Sequence, residues 1–386
     1  MASSHRPVAR LSDVLIVAVL WAGVARSAEP PPLSLAAVVQ QAQSARAEIV
    51  AAHARADALA QRPAIVGALD DPIVSPSIDH YPFSMMPEEE GGGSGRRYDW
   101  SVAIEQSIPL SGLRGRRRAV ARAEAAKASA DADRLTLDVV LEAQRAFFML
   151  RERRRMAAVL AEQAALASQL VASAASRYGA GVAPQADVLR SEVELARVNA
   201  AQRALEAETR AAQAMLNVAM GRAPAAAIGP LEESALLALP GPAVALREVA
   251  DRRPELRAGA AEIDRAGAEI EVMRSMYRPM LMVRAGRATT MAEGPGAMLM
   301  VGFSVPLWRD KLRAGVAEAR AMERMAQADF LAMQRMIEGE IAAAYAQDEA
   351  AATRLRAIDA DVVPRAQAAL DAAYAAYAAG QASLIT

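Results

Sequence analysis

Residues 116–178 read RRRAVARAEAAKASADADRLTLDVVLEAQRAFFMLRERRRMAAVLAEQAALASQLVASAASRY, and this stretch decides the fold. It contains neither proline nor glycine, and most of its residues lose little conformational entropy in a helix. With its flanks, Gly112–Arg177, it predicts one helix of roughly 65 residues and about 100 Å. Such a helix does not fit inside a compact domain, so it predicts a coiled coil or a wall of an elongated assembly.

Further helices are predicted on both sides of two shorter insertions. A second long helix is predicted at Trp308–Ala378, and Pro364 should kink or split it, because proline lacks an amide hydrogen and clashes with the preceding turn. Shorter helices are predicted at Leu35–Gln61, Pro184–Met220 and Val244–Met276, with a loop at Gly229–Pro242.

The two insertions have the period of β-strands. In Tyr98–Glu105 and Met298–Val305, apolar side chains alternate with polar or small ones, which predicts strands with one apolar face. Each strand follows a polar, glycine-rich tip, and a weaker strand candidate precedes each tip, at Ile73–Tyr81 and Met280–Ala288. Each insertion therefore predicts a β-hairpin.

Aromatic residues concentrate in residues 72–109 and 277–308, which hold these hairpins. Membrane barrels carry aromatic girdles at their interfaces, but soluble hairpins also favour aromatic residues, so both interpretations stay open. Four strands cannot close a barrel, and the membrane interpretation therefore requires several copies of the chain.

The N-terminal residues 1–28 predict a signal peptide. Arg6 and Arg10 precede the apolar run Val14–Val24, which is too short to span a membrane as a mature helix, and small residues follow it. The alternative is an uncleaved anchor. No later run of about 18 apolar residues exists, so no helical membrane span is expected.

The two halves of the chain share motifs at nearly the same separation. Ser107–Leu110 (SIPL) corresponds to Ser304–Leu307 (SVPL), and Tyr178–Gly181 corresponds to Tyr377–Gly380. Phe147 in the first long helix similarly corresponds to Tyr345 in the second. These correspondences predict a first structural repeat at residues 29–220, a linker at 221–243 and a second repeat at 244–386. A coincidence between alanine-rich helices is the alternative.

Composition argues against several functional classes. The 44 Lys and Arg residues balance 45 Asp and Glu residues, whereas a nucleic-acid binder usually has a basic surplus. The absence of cysteine excludes disulfides, thiolate metal sites and a cysteine nucleophile. No metalloprotease, nucleophile-elbow or phosphate-loop motif is present. The sequence therefore predicts no enzyme and no catalytic, cofactor-binding or metal site.

Methionine is the residue type that suggests further chemistry. Seven methionines lie between Met273 and Met300, and Met85 and Met86 lie in the first polar tip. Thioethers are soft ligands that suit Cu(I) or Ag(I), but methionine is also a flexible apolar filler. Both interpretations stay open.

The combined pattern resembles the TolC-type outer-membrane efflux channel family. The resemblance rests on Gln106–Gly112 at a strand end, on Arg177–Gly181 followed by Asp187–Leu189, and on the duplicated order of elements from about Leu33 onward. It implies a mainly α fold with a small β part. Each protomer of a homotrimer would add four strands to a shared twelve-stranded barrel and long helices to a periplasmic tunnel. Asp70–Pro72 (DDP) is similar to the heavy-metal branch.

The resemblance also implies functional positions. The family closes its channel and meets a periplasmic adaptor at the tips of its long helices. The candidate gate and adaptor contacts are Tyr178, Gly181, Asp187, Leu189, Tyr377 and Gly380, and the strand-to-helix junctions are Pro109, Gly112 and Pro306. For Asp187, a carboxylate ring at a pore constriction is one interpretation, and an N-cap or a surface charge of the next helix is the other.

The function implied is a passive export duct in the outer membrane for metal ions or small toxic compounds. Its partners would be a periplasmic adaptor, an inner-membrane pump and outer-membrane lipid, with no nucleic acid. A periplasmic adaptor or a structural coiled-coil protein of the envelope is the alternative. The sequence stops six residues after Gly380, whereas the family continues with a final short helix. Either the sequence is incomplete or this protomer lacks one wall segment.

Overall fold

The computed structural model describes residues 32–79, 98–233, 252–290 and 294–379, together with residues 241, 244, 245, 248 and 381. Several predicted features lie outside these residues, namely the signal peptide, the first polar tip with Met85 and Met86, Met291 and Gly380.

The described residues form helices and strands in the predicted order. In chain order these are α1 (Leu35–Ala45), α2 (Ala47–Val66), β1 (Ile73–Asp79), β2 (Asp99–Pro109), α3 (Leu113–Gly179), α4 (Gln185–Ala219), α5 (Pro254–Ser275), β3 (Met280–Thr290), β4 (Gly294–Ser304), α6 (Arg309–Ala357) and α7 (Val363–Ala378). A π-helical turn, Ile358–Val362, joins α6 to α7. The predicted fold class, mainly α with four strands, is confirmed.

Helix α3 organises the packing. It has 67 residues, and α1, α2, α4 and α5 all pack along it. Helix α5 in turn packs on α6, so the two halves of the chain meet through the α3–α5 contact. At about 1.5 Å per residue, α3 is roughly 100 Å long, as the sequence predicts.

The four strands form one antiparallel sheet in the order β1-β2-β3-β4. Its two hairpins, β1–β2 and β3–β4, come from the two halves of the chain and are joined by the β2–β3 pairing, from Trp100 opposite Thr289 to Pro109 opposite Met280. Within the described residues, the outer edges of β1 and β4 pair with no further strand. The sheet therefore has two open edges, each with unpaired backbone donors and acceptors.

Two apolar clusters hold the helices together. The larger lies where α1, α2, α3 and α4 meet, with Phe147, Leu150 and Leu216 fully buried at its centre. The smaller joins α5 to α6 through Leu256, Ile337 and Ile341, with Tyr345 packed against it. The small alanines buried on α3 and α4 allow their backbones to approach closely.

The single helix predicted over Leu35–Gln61 is wrong, because the structure has two helices separated at Arg46. Arg46 has an extended backbone, with φ −76° and ψ 119°. Its guanidinium pairs with Glu48 of α2 at 3.0 Å and with Glu142 of α3 at 3.2 Å. No local signal in the sequence marks this break, since the contact with α3 is tertiary.

Helix α2 also continues past its predicted end, through Pro63 to Val66. Proline removes one hydrogen bond of the last turns, which costs least near a helix end. Packing on α3 compensates for the loss, because Arg62 pairs with Glu124 at 3.0 Å and Arg114 donates to the carbonyl oxygen of Gly67 at 2.9 Å.

The predicted split at Pro364 is confirmed. The α-helix gives way to the wider π turn over Ile358–Val362, and α7 begins with Pro364 in its first turn. Proline has no amide hydrogen for the carbonyl one turn earlier, and a π turn is one of the recognised ways in which a helix accommodates this.

The expectation that no later helix could span a membrane is too strong. By length and composition alone, an 18-residue segment of α3 is apolar enough to cross a membrane, with a mean hydropathy of 1.2. None of the residues in that segment is buried. Alanine counts as apolar on such scales, so an alanine-rich periplasmic or soluble helix passes the same test.

Candidate functional site

The strand register gives the sheet one apolar face, which no other element of the described structure covers. Leu299, midway along the edge strand β4, is 73% exposed, and its neighbours Val301 and Phe303 are also mostly exposed. The large apolar residues of this face are Val74, Ile78, Trp100, Val102, Ile104, Ile108, Leu281, Val283, Leu299, Val301 and Phe303. Exposed apolar surface of this extent on one sheet marks contact with lipid or protein.

The opposite face of the sheet carries small and polar side chains together with four methionines, Met280, Met282, Met298 and Met300. The Ser77 and Ser101 hydroxyls lie 2.8 Å apart, and Arg284 donates to the hydroxyl of Ser75 at 3.4 Å. Ala103 is completely buried on this face. A Cβ added at Gly286 would lie 2.3 Å from the carbonyl oxygen of Val102, so β2 and β3 bend closely together there only because residue 286 is glycine.

The first strand-to-helix junction is built around Gly112. Pro109 is the last residue of β2, where the missing amide hydrogen ends the ladder. Gly112 has φ 71° and is the N-cap of α3, and its carbonyl oxygen accepts from Gly115 at 3.0 Å. Only glycine adopts this left-handed conformation without strain, so Gly112 turns the chain from the sheet into α3.

The second junction, at Pro306, has a different geometry. Pro306 lies between β4 and α6, where Trp308 is the N-cap in an ordinary negative-φ conformation. Leu307 and Trp308 are among the most exposed apolar residues of the chain. The two junctions therefore share a sequence motif but differ in the turn.

Four of the candidate tip residues lie in or beside the turn between α3 and α4: Tyr178 at the end of α3, Gly181 in the turn, and Asp187 and Leu189 at the start of α4. Gly181 has φ 71°, and the amide of Val182 donates to the carbonyl oxygen of Arg177 at 3.0 Å. This is the Schellman arrangement, which requires a left-handed residue where glycine stands. Tyr178 and Leu189 are about half exposed at this tip.

Asp187 lies in the first turn of α4 but is not its N-cap, because Pro184 holds that position. The N-cap interpretation is therefore wrong. The Asp187 side chain is nevertheless 3% exposed, and its nearest cation is Arg190, at 3.8 Å. A buried carboxylate in the first turn is stabilised by the positive end of the helix dipole.

The C-terminal end of α7 contacts the C-terminal end of α3. Tyr377 is 5% exposed, and the Arg177 guanidinium lies 4.5 Å from the centre of its ring and also donates to its carbonyl oxygen. The amide of Gln381 donates to the carbonyl oxygen of Ala376 at 3.0 Å, the same bond that Val182 makes at the first tip. Arg177 is absent from the predicted tip residues, although a basic residue in a last helical turn is a recognisable signal.

Much of α6 and α7 has no partner among the described residues. From residue 351 to residue 375 every side chain is exposed. The apolar ones include Leu355, Ile358, Val362, Leu370 and Tyr374. A long helix with exposed apolar side chains is incomplete without a neighbouring surface.

A charged network joins α3 to α5. Glu262 accepts hydrogen bonds from Lys127 at 3.0 Å and from Arg265 at 2.7 Å. The hydrogen bond from Arg265, and after it the one from Lys127, lowers the pKa of Glu262. The bond between Arg265 and Glu262 also raises the pKa of Arg265. A groove of about 810 Å³ runs beside this network between α2, α3 and α5.

The described residues bring no three His, Asp or Glu side chains together in a geometry that could hold a metal ion. Asp70 and Asp71 are exposed between α2 and β1, and the Asp70 carbonyl oxygen accepts from the Gln106 amide at 2.8 Å. Met273 lies in α5, Met276 follows that helix, and Met280, Met282, Met298 and Met300 lie in β3 and β4.

Comparison with protein families gives one match. Residues 245–386 match the family described as outer membrane efflux protein. This segment begins just before α5 and includes the second hairpin and the second long helix. No curated protein sequence matches the chain.

Solved structures share the fold over most of the chain. A membrane protein from Pseudomonas aeruginosa is 18% identical, with a TM-score of 0.77 over 90% of this chain and 84% of its own. The crystal structures of CusC were described in a study of folding and transmembrane channel formation. CusC is 13% identical to this chain, with a TM-score of 0.76 over 90% of this chain and 83% of its own. The CmeC outer membrane channel of Campylobacter jejuni is 15% identical, with a TM-score of 0.75 over 99% and 86%. The matched family is described as an efflux family, and CusC and CmeC are described as channels; none of these descriptions names an enzyme.

Proposed function

We propose that this chain is one subunit of a homotrimeric outer-membrane efflux channel. The observation that carries the proposal is the four-stranded sheet, which within the described part of the chain has an uncovered apolar face and two open edges. In lipid every backbone donor and acceptor needs a partner, so an open sheet cannot span a membrane by itself. Closure with copies of the same sheet would pair the edges, and lipid would then cover the apolar face.

The number of strands favours a trimer. Three copies of the sheet supply twelve strands, a number compatible with a barrel that surrounds a central pore. A single four-stranded sheet cannot close into a barrel. In a cyclic trimer, β4 of one protomer would pair with β1 of the next, and every interface would be the same. The apolar face would then contact lipid, and the face with Ser101, Glu105 and Arg284 would line the lumen.

The helices would form a periplasmic tunnel below this barrel. The duplicated order of elements supports two structural repeats, at residues 29–220 and 244–386, linked by residues 221–243. Neighbouring protomers would cover the exposed apolar side chains of α6 and α7, which the described chain leaves without a partner. A mature chain with this architecture would reach the outer membrane after removal of an N-terminal signal peptide.

The two helix tips would form the periplasmic gate and the adaptor contact. Their contact through Arg177 and Tyr377, together with the buried Asp187, supports a closed tip that needs energy to open. A periplasmic adaptor engaging Tyr178, Gly181 and Leu189 would release this contact, and an inner-membrane pump would drive the cargo. Metal ions or small toxic compounds are the proposed cargo.

Disulfide crosslinking tests the proposed trimer directly, because the chain has no cysteine of its own. Ser77→Cys in β1 would be combined in turn with cysteines at alternate β4 positions from Gly294 to Gly302. We expect one or two of these pairs to give crosslinked dimers and trimers in outer-membrane fractions. Ser77→Cys alone is the control and should give at most one crosslinked species, the dimer.

A periplasmic adaptor or a structural coiled coil would give a different result. Neither would bring β1 and β4 of different protomers together, so no combination of cysteines would yield trimers. That outcome, with the protein present in the periplasmic fraction, would reject the channel.

A further inference from the structure

The methionines of the second hairpin all lie on one face of the sheet. Met280 and Met282 in β3, and Met298 and Met300 in β4, share the small and polar face with Arg284 and Gly286. The apolar face of the same two strands holds Leu281, Val283, Leu299, Val301 and Phe303, and no methionine. The two side-chain types are therefore fully separated.

This separation argues against methionine as an apolar filler. A filler belongs in a packed interior or on a lipid-facing surface, where shape and hydrophobicity are needed. Here the lipid-type face of β3 and β4 uses mainly branched and aromatic residues, with Arg287 and Thr289 toward one end, and the methionines lie with Ser, Gly and Arg284 on the other face. Met300 is nearly half exposed, and the other three are partly exposed, so the thioethers are accessible.

The register arranges the four thioethers along the strands. Met282 lies opposite Gly302, and Met298 lies opposite Gly286, so two of the four face a residue without a side chain. Met282 and Met300 are diagonal neighbours, a relation that brings long side chains within reach of each other. Gly302 leaves room beside Met282, whereas the space at Gly286 is filled by the backbone of β2.

The described charges on this face are net acidic, since Asp79, Asp99 and Glu105 share it with Arg284. Arg284, opposite Met300, would repel a cation, but Glu105 lies directly opposite Arg284 on the other side, in β2. The methionine strip therefore lies beside a pair of opposite charges. Such a strip selects ions by softness rather than by charge, since thioethers are neutral ligands.

We propose that Met280, Met282, Met298 and Met300 form a binding strip for a soft monovalent cation, Cu(I) or Ag(I), on the lumen face of the barrel. The position in the lumen rests on the proposed channel function, in which three copies of the strip would surround the pore. The ion is cargo and passes between neighbouring thioethers, because coordination by two or three neutral ligands holds it without trapping it.

Silver binding to the purified, detergent-solubilised full-length protein tests this proposal. Leucine replaces all four residues (M280L, M282L, M298L and M300L), a nearly isosteric change that leaves strand packing intact. The matched control carries four leucines at exposed methionines on helices: M215L, M322L, M325L and M336L. Ag(I) affinity is measured by calorimetry, and sulfur coordination of the bound silver by X-ray absorption.

We expect the sheet variant to bind Ag(I) about ten-fold more weakly or worse and to lose the sulfur signal, while the helix control stays within about two-fold of the wild type. Equal losses in both variants, or unchanged binding in the sheet variant, would overturn the strip. Zn²⁺ binding as tight as Ag(I) binding would also contradict it, because thioethers do not favour that harder ion.

The crosslinking of β1 to β4 separates this proposal from the channel itself. With the β4 cysteine at a glycine position, the wild-type background and both variants should give the same crosslinked trimers in outer-membrane fractions. A protein that binds silver through these methionines but gives no crosslinked trimer would reject the channel and retain the strip. Crosslinked trimers, with silver binding that does not depend on the four methionines, would retain the channel and reject the strip.

Discussion

Three glycines shape the backbone, two by turning the chain and one by allowing two strands to approach. Gly112 and Gly181 adopt left-handed conformations that other residues adopt only with strain, and they turn the chain out of β2 and out of α3. Gly286 allows β2 and β3 to approach, since a Cβ there would overlap the backbone of β2. The sequence shows Gly112 and Gly181 within recognisable motifs, but nothing local distinguishes Gly286 from an ordinary strand glycine.

Gly112→Ala should destabilise the protein by about 1–2 kcal/mol, because alanine is strained at φ 71°. Gly115→Ala, three residues later in the same helix, should instead stabilise by about 0.5–1 kcal/mol, since alanine is the better helix former and meets no atom there. Urea unfolding followed by circular dichroism measures both. If both variants changed the free energy of unfolding in the same direction, the left-handed backbone at Gly112 would not be the cause of the effect.

At the scale of elements, long helices are readable from composition, and their breaks are only partly so. Pro364 predicts the interruption between α6 and α7, because the missing amide hydrogen of proline disturbs the helix within one turn of the residue itself. The break at Arg46 depends on Glu142 of another helix, and Pro63 is tolerated because α2 is held on α3. Neither partner is adjacent in the sequence.

The link between α3 and α5 gives a pH prediction. Because the pKa of Glu262 is lowered in the folded chain, its contribution to stability is present above the ordinary glutamate pKa of about 4.3 and is lost as the pH falls through the lowered value. Glu262→Gln should therefore cost about 0.5 kcal/mol at pH 7, a size typical of ion pairs that solvent still reaches, and progressively less as the pH falls toward 3.

Urea unfolding at both pH values checks this effect. Glu194→Gln is the matched control, because Glu194 pairs only with Arg197 on the surface of its own helix, so its removal should change stability less. A Glu262→Gln variant that is equally destabilised at low and neutral pH would show that packing, rather than the ionised carboxylate, is responsible.

At the scale of the whole molecule, the sheet is complete only as part of a larger assembly. Among the residues that the structure describes, nothing covers its apolar face or pairs with its edges, and α6 and α7 expose apolar side chains over many turns. The same arrangement of strands above long helices occurs in outer membrane channels with under 20% sequence identity. The fold is therefore retained while most side chains change.

A charge on the two faces of the sheet should have opposite consequences. Leu299→Arg places a cation on the proposed lipid face, where it costs about 2–4 kcal/mol near the bilayer centre. Ala288→Arg places the same cation on the polar face, where water is available in the proposed pore. We expect Leu299→Arg to reduce the amount of protein in outer-membrane fractions several-fold and Ala288→Arg to leave it nearly unchanged, as immunoblotting of membrane fractions would show.

An equal loss for the two variants would mean that the faces do not differ in their surroundings. The proposed orientation of the sheet would then be wrong, although the strand pairing itself would stand.

The sequence by itself determined the class of the fold, the order of its elements and most of their bounds. Composition and periodicity act over one or two turns, so α3, the four strands and the split at Pro364 are visible without a structure. Only the tertiary structure decided the break at Arg46, the contact of Arg177 with Tyr377, the buried position of Asp187 and the shared face of the four methionines. These features join residues far apart in the chain, and strand register and helix packing, which bring them together, leave no local signal in the sequence.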